Sequence, residues 1–152
     1  MERLPYSPSL VERLLASHLT LTSQPLVPAH VAADQTARWL YEDAPFAVLA
    51  HDTQADPRFV YANLHAQRCF ERAWSELVGM PSRLSAELPA QAERAAALAQ
   101  VAQKGFATGY RGVRIAKSGR RFWIEQGTLW NVLDESGAHI GQAACFRETR
   151  PA

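Results

Sequence analysis

The amino-acid sequence predicts an α+β domain built on a five-stranded antiparallel sheet. Three observations carry this. Two short strand patterns, over 46–50 and 58–62, lie close together with a turn between them. A block of helical pattern follows, over 64–104. Three further strand patterns joined by tight turns then form a meander. Strands grouped on either side of a helical block, rather than alternating singly with helices, indicate α+β. Helices inserted between the second and third strands must cover one sheet face. The helices that precede the first strand are free to cover the other.

Each element has a local reason. Ser7 can cap a helix, and Pro8 at its first position gives up a donor that had no partner there. Leu10, Val11, Leu14, Leu15 and His18 then make one apolar stripe, which ends near Thr22–Pro25. A second helix is expected over 30–42, stopped by Ala44-Pro45. These two helices form an N-terminal segment, 1–43, ahead of the main domain, 44–152. Phe46 to Ala50 is a wholly apolar run between Pro45 and His51-Asp52, suited to a strand buried on both faces. Arg58 to Ala62 is its hairpin partner, closed by Asn63. His65–Phe70 and Trp74–Val78 are short helices, and Ala90–Lys104, rich in Ala, Gln and Glu, is a longer one ended by Gly105. Strands at 110–116, 121–133 and 139–146 are separated by the turns Lys117-Ser118-Gly119 and Asp134-Glu135-Ser136-Gly137.

Composition narrows the function classes. The chain has 152 residues, 47% hydrophobic and 20% charged, enough for one unstapled core. A net charge of +1 gives no electrostatic case for nucleic acid or for an anionic membrane. No apolar run approaches a membrane span, and the N-terminal stretch lacks the apolar core of a signal peptide. Cys69 and Cys145 make no disulfide framework or metal motif and read as reduced core thiols of a cytoplasmic protein. The five histidines are scattered without metal-ligand spacing, so no metal is expected. No Gly-rich phosphate loop, Gly-x-Ser-x-Gly or His-Glu-x-x-His occurs, so no enzyme motif is present.

The element order and several phrases resemble the PAS domain. These are Tyr61-Ala62-Asn63 at the end of the second strand, Glu76-Leu77-Val78-Gly79 in the helical middle, and the two meander turns. The resemblance is closer to the MEKHLA family, a PAS-related group. It rests on Ala44-Pro45-Phe46, His51, Asp56-Pro57, Phe59 to Asn63, Trp74 to Leu77, Gly119 to Phe122, Gly141 to Ala144 and above all Pro81-Ser82-Arg83-Leu84-Ser85. It implies a PAS-like sheet and the bacterial, stand-alone form of the family, whose output passes to another molecule.

The resemblance also implies a register. Arg114, Ile124, Gln126 and Ala143 would face the helices, where PAS domains can hold a pocket, and Val113, Ile115, Trp123 and Leu129 would face the other side. A one-residue slip would exchange the two sets. A buried Arg114 needs a partner. That is either an internal carboxylate (or exposure at the sheet edge) or the carboxylate or phosphate of a ligand. His51 is either a ligand contact or a structural turn residue, and Asn63 either a ligand contact or a helix cap. Flavin is not expected, because Cys69 stands in Arg68-Cys69-Phe70 rather than in the photosensory phrase. Haem is not expected either, because 90–104 holds no His. Three functions follow. The chain is a sensory domain binding an unidentified small molecule, a dimerisation or partner-binding module whose N-terminal helices form the interface, or a small enzyme using the pocket.

Overall fold

The structure, a computed structural model, describes residues 5–85 and 88–152. Helix α1, Pro8–Thr22, begins where the Ser7 hydroxyl accepts from the Leu10 amide at 3.4 Å. It ends at Ser23, whose backbone is left-handed (φ +61°) and whose amide reaches the Leu19 carbonyl. The second expected helix is shorter and composite: a 3-10 turn at Ala33–Gln35, one α turn at Thr36–Arg38 (α2) and a π turn at Trp39–Asp43. In the π turn the Ala44 amide donates to the Trp39 carbonyl at 2.9 Å and so passes over the carbonyl of Leu40.

The main domain runs β1 (Ala47–His51), β2 (Phe59–Ala62), α3 (Leu64–Phe70), α4 (Trp74–Leu77), a 3-10 turn at Ser82–Ser85, α5 (Leu88–Lys104), β3 (Phe106–Ile115), β4 (Arg121–Leu133), β5 (His139–Phe146) and β6 (Glu148–Pro151). The sheet order is β2-β1-β5-β4-β3, antiparallel throughout, and β6 also pairs with β4. The sixth strand extends the five expected. Thr128 pairs with Cys145 and Glu125 with Glu148, so β6 resumes the register of β5 after a break at Arg147.

Two apolar clusters lie on opposite faces of the sheet. The inner one joins Leu49, Phe59, Phe122, Ile124, Leu129 and Phe146 to α3, α4 and α5. The outer one joins Val48, Ala50, Trp130, Val132 and Ala143 to Val11 and Leu14 of α1 and to Leu40. Helix α1 is fastened to the outer face by side-chain hydrogen bonds. The Trp130 indole donates to the Leu14 carbonyl at 3.2 Å, the Leu133 amide to Ser17 Oγ at 2.8 Å, and Arg13 Nε to the Leu133 carbonyl at 2.8 Å. The His18 ring stands edge-on to Trp130 at 4.8 Å, and burial pulls its pKa below the usual histidine value. Trp123 lies outside this cluster. The guanidiniums of Arg111 and Arg150 sit 4.0 and 5.7 Å from its ring centre instead.

Alternation along β4 is interrupted at its centre. Gln126 is left-handed (φ +53°), and the pairing of β3 with β4 shifts around Tyr110 and Gly127. Such a bulge adds one residue and reverses which face later side chains take. Before it, Phe122 and Ile124 point inward; after it, Leu129 points inward and Trp130 outward.

Candidate functional site

The inner face is incompletely filled. A cavity of about 50 Å³ lies against β1, β3, β4 and β5, with Leu98 of α5 in its wall. Its apolar wall includes Leu49, Phe59, Leu98, Ile124, Leu129 and Phe146. Its polar wall is formed by His51, Ser85, Tyr110, Arg114 and Gln142. His51, Leu98 and Gln142 also line a surface cleft of about 480 Å³ that takes in Asp52, Gln54, Arg83 and His139. These three residues are therefore the wall between cavity and exterior.

Arg114 is the charged group of this wall. It is only 6% exposed. Its Nη2 donates to the Tyr110 hydroxyl at 2.7 Å and its Nη1 to the Val113 carbonyl at 3.1 Å. Both acceptors are neutral, and among the described residues no carboxylate forms an ion pair with it. Gly112 makes the pair possible, since a Cβ there would stand 2.9 Å from the Tyr110 hydroxyl oxygen and 3.2 Å from Arg114 Nη1. On one strand face, therefore, Tyr110, Gly112 and Arg114 alternate as ring, gap and cation.

The other expected residues separate. Ile124 lines the cavity beside Arg114. His51 ends β1 at a register shift, with Nδ1 2.8 Å from the Asp52 carbonyl oxygen, and stands in the cavity wall. Gln126 does not line the cavity; the bulge it forms leaves it exposed. Ala143 borders the cavity, but its side chain packs in the outer cluster with Trp130 and Ala50. Leu129, expected outside, is inside. All three departures have one cause, the reversal at Gln126. Asn63 is structural. It caps α3 by accepting from the Ala66 amide at 3.0 Å, and its oxygen also accepts from the Val48 amide at 3.0 Å. Its Nδ2 donates to the carbonyls of Phe46 and of Leu40, the one passed over by the π turn. Two donors and two lone pairs are all used, so nothing remains for a ligand.

Sequence reasoning missed Tyr110, Gln142 and Ser85. Tyr110 was within reach, because it is four residues from Arg114 on a strand and so shares its face. Ser85 owes its place to the phrase Pro81–Ser85. That segment runs along the free edge of β2, with the Phe59 amide donating to the Met80 carbonyl at 3.0 Å and the Ser82 amide to the Pro57 carbonyl at 2.8 Å. The edge strand is thereby covered. Arg83 pairs with Asp56 at 3.2 Å.

Burial pushes Cys145, beside the cavity, up to about 11, and burial raises Cys69 as well, so both are protonated near neutrality. Among the described residues the cavity wall holds no carboxylate. Among the described residues no cluster of three His, Cys, Asp or Glu could hold a metal, and no helix is long and apolar enough to cross a membrane.

Comparison with known proteins agrees with this architecture. No curated protein matches the chain. Among solved structures, the PAS domain of a protein from Colwellia psychrerythraea superposes with a TM-score of 0.63 at 18% identity, over 78% of this chain and 95% of that one. The light-state dimer of the fungal blue-light photoreceptor Vivid gives a TM-score of 0.63 at 18% identity, over 95% and 97% of the two chains. An RNA-binding light-oxygen-voltage receptor gives 0.63 at 21% identity, over 85% of this chain and 36% of that one. These likenesses establish a PAS-like fold. The MEKHLA domain family itself matches over residues 8–150, nearly the whole length, and the chain belongs to that family.

Proposed function

We propose that the chain is a ligand-responsive sensory module that does no chemistry of its own and signals by contact with a partner protein. One observation carries the reading: a cavity on the inner sheet face with a buried cation in its wall, separated by a single layer of strand from α1 on the outer face. Leu129 touches the cavity and its neighbour Trp130 is bonded to the backbone of α1. A ligand that shifts β4 therefore bears on the helix directly. Both thiols are held protonated by burial, which speaks against a cysteine nucleophile. Unpaired cysteines suit a reducing cytoplasm.

A second reading is an interaction module. A surface groove beside α1, lined by Val11, Leu15, Leu19 and Ala37 with Leu19 51% exposed, favours it. Native mass spectrometry of the purified protein, set against its denatured mass, separates the two. A bound small-molecule mass is expected for the sensor. A ligand-free dimer would overturn that reading in favour of the interface.

A further inference from the structure

We infer that the cavity is a receptor for a small carboxylic acid, held by Arg114 and Tyr110 and carrying a short apolar body. The inference rests on the ligand-sensing reading and names its ligand class. A guanidinium has five N–H donors, and two are used here, on the Tyr110 hydroxyl and the Val113 carbonyl. The Tyr110 oxygen accepts from Arg114, so its own O–H is left to donate. Cation and hydroxyl thus present several donors to one wall of a cavity that, among the described residues, contains no acceptor of opposite charge.

A charge buried without a counter-charge is costly and is retained where something supplies the partner. A carboxylate matches the planar fork of a guanidinium. The rest of the wall sets the body of the ligand. Ile124, Leu129, Phe146 and Leu98 offer only apolar contact. Size sets its extent, since about 50 Å³ holds on the order of three to five water-sized groups at roughly 10–15 Å³ each. One cation suits a monoanion better than a phosphate dianion. The route in passes His51 and Gln142, which face both the cavity and the outer cleft.

The test is calorimetric titration of the full chain with propionate, butyrate, propionamide and inorganic phosphate. Propionate or butyrate should bind, and propionamide should bind about 10- to 100-fold more weakly, the scale of a charge-assisted pair. Arg114→Met should abolish the difference between acid and amide. It should also leave the melting point of the ligand-free protein unchanged or higher, which a purely structural arginine would not do. If Arg114→Met does not fold, Tyr110→Phe, which removes one hydroxyl, should weaken the acid more than the amide. Equal binding of acid and amide, tighter binding of phosphate, or full acid binding by Arg114→Met would overturn the inference and leave ligand sensing standing. No binding of any probe overturns it too. If the purified protein also carries no bound mass, the sensory reading falls with it.

Discussion

On the outer face of the sheet the rings of Tyr6, Tyr41, Tyr61 and Trp74 meet at 5.0–6.4 Å, and Trp130, Leu14 and Leu40 are fully buried. On the inner face one end is equally tight, with Phe70 and Phe122 edge to face at 5.2 Å, but the other end holds a void and a buried cation. The same strands serve both faces. The outer face is filled by aromatic rings and by hydrogen bonds that reach the backbone of α1. The inner face is left open where Ala144 and Gly127 supply little or no side chain. Stability is concentrated on one side, and room for a ligand is left on the other.

The largest expected effect breaks the tight side. Trp130→Ala removes the largest fully buried side chain together with its bond to Leu14, and should destabilise the fold by about 3–5 kcal/mol in urea unfolding. A smaller loss should follow at the joint between the faces. Asn63→Ala strands the amides of Val48 and Ala66 and the carbonyls of Leu40 and Phe46, at a cost of about 2–3 kcal/mol by the same measurement. The smallest effect has the opposite sign. Ala144→Val, on the cavity wall, should raise the stability of the ligand-free protein by about 0.5–1 kcal/mol while weakening any cavity ligand. Destabilisation by Ala144→Val would mean that the inner face is as closely packed as the outer.

The elements were largely legible. Ser7 and Asn63 cap the helices they precede, because a short polar side chain just before a helix can accept from its first free amides. The meander turns were legible from Gly119 and Gly137, both left-handed (φ +91° and +87°). The partition of the site was half legible. Arg114 and Ile124, placed inward by the register that the PAS resemblance implies, line the cavity. Gln126, Ala143 and Leu129 were assigned by the same implied register, which runs on without the bulge that this chain has. A left-handed glutamine has no compositional mark, and only the glycines at 109, 112 and 127 hinted that the strands were irregular. The π turn was hidden for a similar reason. Trp39–Asp43 reads as ordinary helix, and its extra residue is explained only by the distant side chain that uses the freed Leu40 carbonyl.

Gln126 touches neither the cavity nor α1, yet it decides what both receive. It works as a frameshift does in a coding message. Upstream of it β4 is read in one phase, and downstream every side chain is read in the other. Delete that single letter and Trp130 would be delivered to the chamber meant for a ligand, while Leu129 would be handed to the helix. The division of labour between the two faces is thus encoded in a spacing, by a residue whose own side chain contributes to neither.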